Sequence, residues 1–475
     1  MKQFIFCLVW FLITLSIFAN VDFPNQPAGK RAKEVFELLN EESSYKLDDY
    51  IKENFAERFR DAFPISAHTD FFQRTQSAFG KLIVYDIPKS ANDEIRLILK
   101  SENKDSYLEL IVNVELNEPN KISALFFKPI SKPENKNSNE KEAEKLSDFE
   151  GLHKYLSLSA ENNKFSGVVL VAKGEEILFH KVYGFANKNG KILNKTDTKF
   201  NIGSLNKMIT SVAVAQLMEQ NKLNIDDTIG KFLEGFPFEA ANKVTIRHLL
   251  QMKSGWGDYW DNEVFMSQWR SMSKLSDYIN FIKDMPLQFE PGERMIHSNT
   301  SFEVLGAIIE VVSGMDYYDY VREYIYQPCK MINSDSFTKL ENIENRATGY
   351  TNIGDPSSEN YEKDNTLSPP LKGTPAGGGF STAEDLLKFV LALTSNEILS
   401  SKYTDFLLNR FEGEKDEPYP YNGIAKWLGA SAGVNAFLGI DWENQYTYII
   451  LSNYDHPVAI DIGDKIIEMM KLNKK

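Results

Sequence analysis

One stretch constrains this chain more than any other: Phe200-Asn201-Ile202-Gly203-Ser204-Leu205-Asn206-Lys207, running straight into Met208-Ile209-Thr210-Ser211-Val212-Ala213-Val214-Ala215. Asn201–Gly203 reads as a turn, and the residues from Ser204 onward read as a helix that is apolar on nearly every side. A helix of that kind belongs at the centre of a sizeable protein, so other elements must wrap around it. Ser204 and Lys207 stand three apart at its first turn and are neighbours on one face. A serine hydroxyl is a poor nucleophile until something takes its proton, and a partly buried lysine amine can do that. The helix N-terminus adds positive potential and backbone N–H groups that favour a developing oxyanion. The same spacing recurs at Ser43–Lys46, Ser101–Lys104, Ser138–Lys141, Ser271–Lys274 and Ser336–Lys339. Only the pair at Ser204 opens a long apolar helix, and that context points to acyl transfer through an activated serine.

A chain of 475 residues is too long for one ordinary domain, and two are expected. An apolar content of 42% supplies real cores, and 12% aromatic residues argue against disorder. The net charge of −14 offers no basic field to attract phosphate, which excludes a nucleic-acid partner. Residues 1–20 carry Lys2, an almost wholly apolar run over Phe4–Phe18, and then Ala19-Asn20. This pattern is expected of a secretory signal peptide, with an uncleaved anchor as the alternative; the run is short for a membrane span, and no span is expected once it is removed. Cys7 lies inside that run, so the mature chain keeps Cys329 alone and its stability must come from packing, not disulfides. A periplasmic or extracellular location is therefore expected.

Residues 27–130 form a first unit: helical periodicity over Ala32–Leu39, Leu47–Phe63 and Thr69–Phe79 precedes β-like runs at Lys81–Ile87, Ile95–Leu99, Tyr107–Val114 and Lys121–Phe127. Helices followed by strands predict a small α+β domain. Its layout is similar to that of the small nuclear transport factor 2 type domains. Residues 131–148 have almost no apolar side chains and are expected to be an exposed linker. The large domain, 149–475, opens with a hairpin around Lys173-Gly174-Glu175 and closes with another pairing Val434–Ile440 with Tyr446–Asn453, followed by a helix. Helices lie between, including Phe302–Ser313 and one capped by Thr382. One sheet with helices packed on it is predicted.

Several ordered blocks of the large domain resemble the class C β-lactamase and penicillin-binding-protein-like serine hydrolases. They are Phe200–Lys207, Leu223–Phe232, Thr245–Tyr259, Pro291–Gly306, Thr374–Leu386 and Gly433–Tyr454, together spread over the last two-thirds of the chain. The resemblance implies an α/β (α+β) fold, a β-lactamase/transpeptidase-like mixed sheet beside a helical subdomain, with the active site between them. It implies Ser204 as nucleophile and Lys207 as the group that activates it, chemistry known from the Ser-x-x-Lys motif. The family's second element is Tyr-x-Asn; here Asn299 is present, but His297 stands in the tyrosine's place. Neutral histidine is already basic near pH 7, whereas tyrosine must be strongly perturbed to act as a base. His297 is therefore either a working base or shuttle, or a histidine hydrogen-bonded in the interior. The third element, Lys-Thr-Gly or His-x-Gly in the family, aligns with Trp427-Leu428-Gly429. Tryptophan offers one N–H and no charge. Lys426 is adjacent, but neighbouring strand residues face opposite sides. Gly429 would allow close approach of substrate, and the N–H of Ala430, with that of Ser204, would form the oxyanion hole.

Gly377-Gly378-Gly379 lacks the Gly-Lys-Ser/Thr that comes next in a phosphate loop and is expected to be a tight turn beside the pocket. The six histidines show no metal-ligand spacing, so no zinc and no other cofactor are expected. Trp256, Tyr259 and Trp260 either rim a cleft or pack in the interior. The expected function is a secreted serine hydrolase acting on a small-molecule or peptide substrate, an ester or amide and possibly a cell-wall peptide, through an acyl-enzyme on Ser204. The alternative is a weakened relative that binds envelope peptides or glycans without turnover.

Overall fold

The computed structural model describes residues 23–40, 46–60, 65–104, 106–130, 146–352, 363–408 and 424–472. Residues 1–22, where the leader is expected, and positions 131–145 of the expected linker lie outside the described residues. The chain divides into two compact units, Met1–Asn135 and Lys136–Lys475.

In the first unit, α1 (Pro27–Leu39), α2 (Leu47–Asn54), α3 (Glu57–Arg60) and α4 (Ile65–Phe79) precede an antiparallel meander of β1 (Leu82–Ser90), β2 (Glu94–Ser101), β3 (Tyr107–Val114) and β4 (Ile122–Ile130), in that spatial order. Proline at the first turn of α1 suits a position whose N–H has no helical acceptor. Along β2 burial alternates strictly, with Ile95, Leu97 and Leu99 turned into a core shared with Ala32, Val35 and Leu39 of α1. The periodicity over 47–63 predicts one helix, but the chain breaks at Phe55, whose backbone is extended. Phe55 bridges Ile122, the Ala56 N–H donates to the Ile122 carbonyl at 2.8 Å, and the Phe55 ring is fully buried. Seating that ring in the core outweighs continuing the helix.

The second unit is built on a five-stranded antiparallel sheet. Its strands are β5 (Gly167–Lys173), β6 (Glu176–Tyr183), β7 (Ile424–Ser431), β8 (Val434–Asp441) and β9 (Tyr446–Ser452), in the spatial order β7-β8-β9-β5-β6. The N-terminal and C-terminal hairpins join where β9 pairs β5, from Tyr446 opposite Lys173 to Ser452 opposite Gly167. Strand parity divides the sheet cleanly. Val169, Val171, Phe437, Tyr448 and Ile450 pack with Leu152 and Leu156 of α5 (Phe149–Glu161) and with Ile462 and Ile466 of the C-terminal helix, Val458–Leu472. Val168, Leu170, Ala436, Leu438, Ile449 and Leu451 face a larger core on the other side. Covered on both faces, the inner strands read as continuous apolar runs and not as alternation.

The larger core contains α6 (Asn206–Glu219), in which every residue from Asn206 to Met218 is buried. Against it packs α7 (Asn299–Ser313), while α8 (Ala383–Thr394), capped by the Thr382 side chain accepting the Asp385 N–H at 3.1 Å, packs on strands β9 and β5 of the sheet. The helix without a polar face is thus the axis of the helical part, and its N-terminal end emerges beside the edge strand β7.

Candidate active site

Ser204 lies in a single 3₁₀ turn, Gly203–Leu205, immediately ahead of α6. The turn is pinned from two sides. The Asn201 side chain accepts the Gly203 N–H at 2.9 Å, the Ile202 N–H donates to the Gly379 carbonyl at 2.8 Å, and the Gly378 N–H donates to the Gly203 carbonyl at 3.2 Å. Gly203 has φ +53°, a left-handed conformation that favours glycine. Residues Thr374–Gly379 form the tight turn expected of the triple-glycine stretch, closed by reciprocal backbone bonds between Thr374 and Gly377. Three successive carbonyls of this loop each receive a side chain of α6: Thr374 from Asn206 at 2.7 Å, Pro375 from Thr210 at 2.7 Å and Ala376 from Lys207 at 2.5 Å.

Lys207 is buried, and its amine has three partners: Ser204 Oγ at 3.2 Å, Asn299 Oδ1 at 2.6 Å and the Ala376 carbonyl at 2.5 Å. The Asn299 amide is oriented by Asp258, whose Oδ2 accepts both the Asn299 Nδ2–H at 2.7 Å and its backbone N–H at 3.1 Å. An ionised carboxylate can only accept, so the amide oxygen must face Lys207. The consequence is chemical. Two partners of the amine are pure acceptors and claim two N–H bonds, so the lone pair of the neutral amine has Ser204 as its remaining neighbour. Burial pushes Lys207 down to about 8, against the opposing influence of Asp258 and Glu303. Burial alone would raise Asp258, but the His297 side chain and the backbone N–H groups of Trp260 and Asn299 outweigh it and hold this carboxyl below its ordinary value.

The edge strand passes so close to the serine turn that a side chain is excluded. A Cβ on Gly429 would stand 2.1 Å from the Ile202 carbonyl oxygen and 3.2 Å from the Ser204 nitrogen, while one on Gly203 would stand 2.9 Å from the Ala430 nitrogen. The backbone nitrogens of Ser204 and Ala430 thus both lie at the close contact between the turn and the strand. Trp427 shares the face of Gly429 and is partly buried against the large core, opposite Leu438. Lys426 points to the other face, where its amine meets Asp464 at 2.6 Å and lies over the Phe437 ring. No strand cation therefore replaces the one missing from the third element. The Gly429→Ala variant is expected to push β7 off the turn and separate the two N–H donors. If Ser204 is the acylated residue, its rate of covalent labelling should fall by about 10²–10³-fold, the loss typical of one oxyanion donor.

A family model described as Beta-lactamase matches residues 157–468. The chain belongs to the beta-lactamase family. Penicillin-binding protein 4* of Bacillus subtilis is 33% identical over 255 residues, covering 50% of this chain and 54% of that protein. The chain thus spans about half the length of that relative. The putative penicillin-binding protein PbpX of the same organism is 27% identical over 361 residues, 75% of this chain and 88% of that one. Among solved structures, a penicillin-binding protein from Bacillus halodurans superposes with a TM-score of 0.58 at 29% identity, covering 68% of this chain and 98% of that chain.

Within this beta-lactamase fold the second element differs in residue type, with His297 in the tyrosine's place. His297 is largely exposed, and its Nδ1 lies 3.7 Å from Asp258 Oδ2. No hydrogen bond between His297 and Ser204 or Lys207 is present among the described residues. Trp256 and Tyr259 are core residues: the Trp256 indole donates to the Met285 carbonyl at 3.2 Å, and the Tyr259 hydroxyl donates to Glu303 at 2.9 Å. Sequence reasoning passed over Asp258, Glu303 and Ala376. Glu303 left a signal, as a single carboxylate inside the apolar run Phe302–Ile309. Ala376 left none, because it acts through its backbone.

Proposed function

We propose that this beta-lactamase-family chain is a serine hydrolase that works through an acyl-enzyme on Ser204. One observation carries the reading: a buried amine 3.2 Å from the serine oxygen, whose other two hydrogen bonds go to fixed acceptors. Neutral Lys207 takes the Ser204 proton as Oγ attacks the substrate carbonyl, and the negative charge that develops on the carbonyl oxygen is met by the Ser204 and Ala430 N–H groups. The protonated amine then returns its proton to the leaving alcohol or amine. Water attacks the ester so formed, with Lys207 again as base, and releases the acid. His297, tethered to Asp258 and exposed, serves as the shuttle toward solvent. Trp427 and Gly429 line the acyl side.

The substrate class follows from charge. Trp427 stands where a cation would anchor a carboxylate, and Asp258 and Glu303 are the acids close to Lys207. An ester or amide without an essential carboxylate, such as an acyl group carried on a cell-wall polymer or peptide, suits this site better than a penicillin. Export under the N-terminal leader would bring the enzyme to such substrates, and no helix among the described residues is long and apolar enough to cross a membrane. Mass spectrometry after exposure to a fluorophosphonate should show a single adduct, on the peptide containing Ser204. Absence of an adduct under conditions that label a related family enzyme would overturn the reading.

A further inference from the structure

Glu303 lies one turn beyond Asn299 on α7 and is fully buried. Its Oε1 accepts the Tyr259 hydroxyl at 2.9 Å and the Thr374 hydroxyl at 2.6 Å. Its Oε2, also buried, has no hydrogen-bond partner among the described residues. A carboxyl removed from water and satisfied at one oxygen only is costly, and packing does not require one between Phe302 and Val304. The cost is reduced by a counter-charge, and the Lys207 amine of α6 supplies it. A bonded route also joins the two groups. The Thr374 hydroxyl that donates to Glu303 accepts the Ala376 N–H at 3.3 Å, and the Ala376 carbonyl holds the Lys207 amine.

Resting on the reading of Ser204 and Lys207 given above, we propose that Glu303 is a positioning residue for acylation. Through Thr374 it sets the carbonyl that aims the Lys207 amine, and its buried charge governs how readily that amine gives up a proton.

The groups facing Glu303 are Lys207 of α6, Asp258 and Tyr259 of the loop before residue 262, Tyr278 of the helix Leu275–Ile282, and Tyr317 and Tyr318 of the helix Tyr317–Val321. Burial holds all four phenols well above their ordinary value, so they stay neutral. Asp258, which also faces His297, stays ionised. The changeable charge near neutrality therefore belongs to Lys207 and Glu303, the latter pushed up to about 7 by burial against the hydroxyl bonds and Lys207. The two titrate as a pair. An ionised Glu303 favours the ammonium, so removing its charge should yield neutral amine at lower pH.

Glu303→Gln keeps an acceptor for both hydroxyls while deleting the charge. The rate of fluorophosphonate labelling at Ser204, followed from about pH 6 to pH 9.5, should rise with a midpoint shifted downward on the order of one unit relative to the parent. An unmoved midpoint with only a lower plateau, or no change at all, overturns the proposal. If this variant does not fold, Thr374→Val serves: losing a hydroxyl donor destabilises the buried carboxylate and should move the midpoint the same way, and a fixed midpoint there overturns the proposal equally. NMR titration of the Lys207 side chain in ¹³C-lysine protein, assigned by its loss in Lys207→Met, reads the same shift without any reaction. A parent protein that fails to label refutes the nucleophile assignment alone, because the NMR midpoints of parent and variant still decide the role of Glu303.

Discussion

Replacing Ser204 by alanine is expected to remove covalent labelling entirely and to lower ester or amide turnover by at least about a thousandfold, to the level that binding and the oxyanion donors sustain alone. The loss should be selective. The Ser204 hydroxyl meets the Lys207 amine at 3.2 Å, and that amine keeps the Asn299 and Ala376 oxygens when the hydroxyl is gone. The amine keeps two of its three partners, so the thermal midpoint should stay within a few degrees of the parent's. The variant also separates turnover from binding. A protein that only binds envelope peptides would lose nothing, and a peptidoglycan peptide would stabilise parent and Ser204→Ala alike, with no product from either.

Replacing Lys207 is expected to be nearly as damaging, and the choice of replacement is informative. Lys207→Met removes the proton acceptor and should lower labelling by about 10²–10⁴-fold, the usual worth of general-base catalysis. It also leaves the Asn299 and Ala376 oxygens short of a donor, costing about 1–3 kcal/mol of stability, which a thermal melt would show. Lys207→Arg keeps a cation but cannot deprotonate near neutrality. If the amine acts as base, arginine is as inactive as methionine; if it acts only as a cation, arginine retains much of the rate. In the parent, burial pushes the amine down to about 8, so labelling should rise with pH through that value as the neutral form accumulates. A profile flat from about pH 6 to pH 9 would contradict the base role.

The features legible in the sequence came from short-range regularity. Thirteen consecutive buried positions in α6 follow from a helix with no polar side, and the serine at its mouth follows from the glycine turn before it. The two hairpins were readable because strand periodicity and turn residues are local. Even the opposite facing of Lys426 and Trp427 was contained in the two-residue repeat of a strand. The Phe55 break was not, since the core that takes its ring, and the Ile122 strand it bridges, come from far along the chain.

The sequence by itself determined the family, most of the elements and the serine–lysine pair at the head of α6, because each is written in residues adjacent along the chain. Only the tertiary structure decided what surrounds that amine: an amide oriented by Asp258, a backbone carbonyl from Ala376, and the buried Glu303 behind them. These come from three separate segments. Their convergence is set by how α6, α7 and the Thr374–Gly379 loop pack, and packing has no period that a one-dimensional reading can detect.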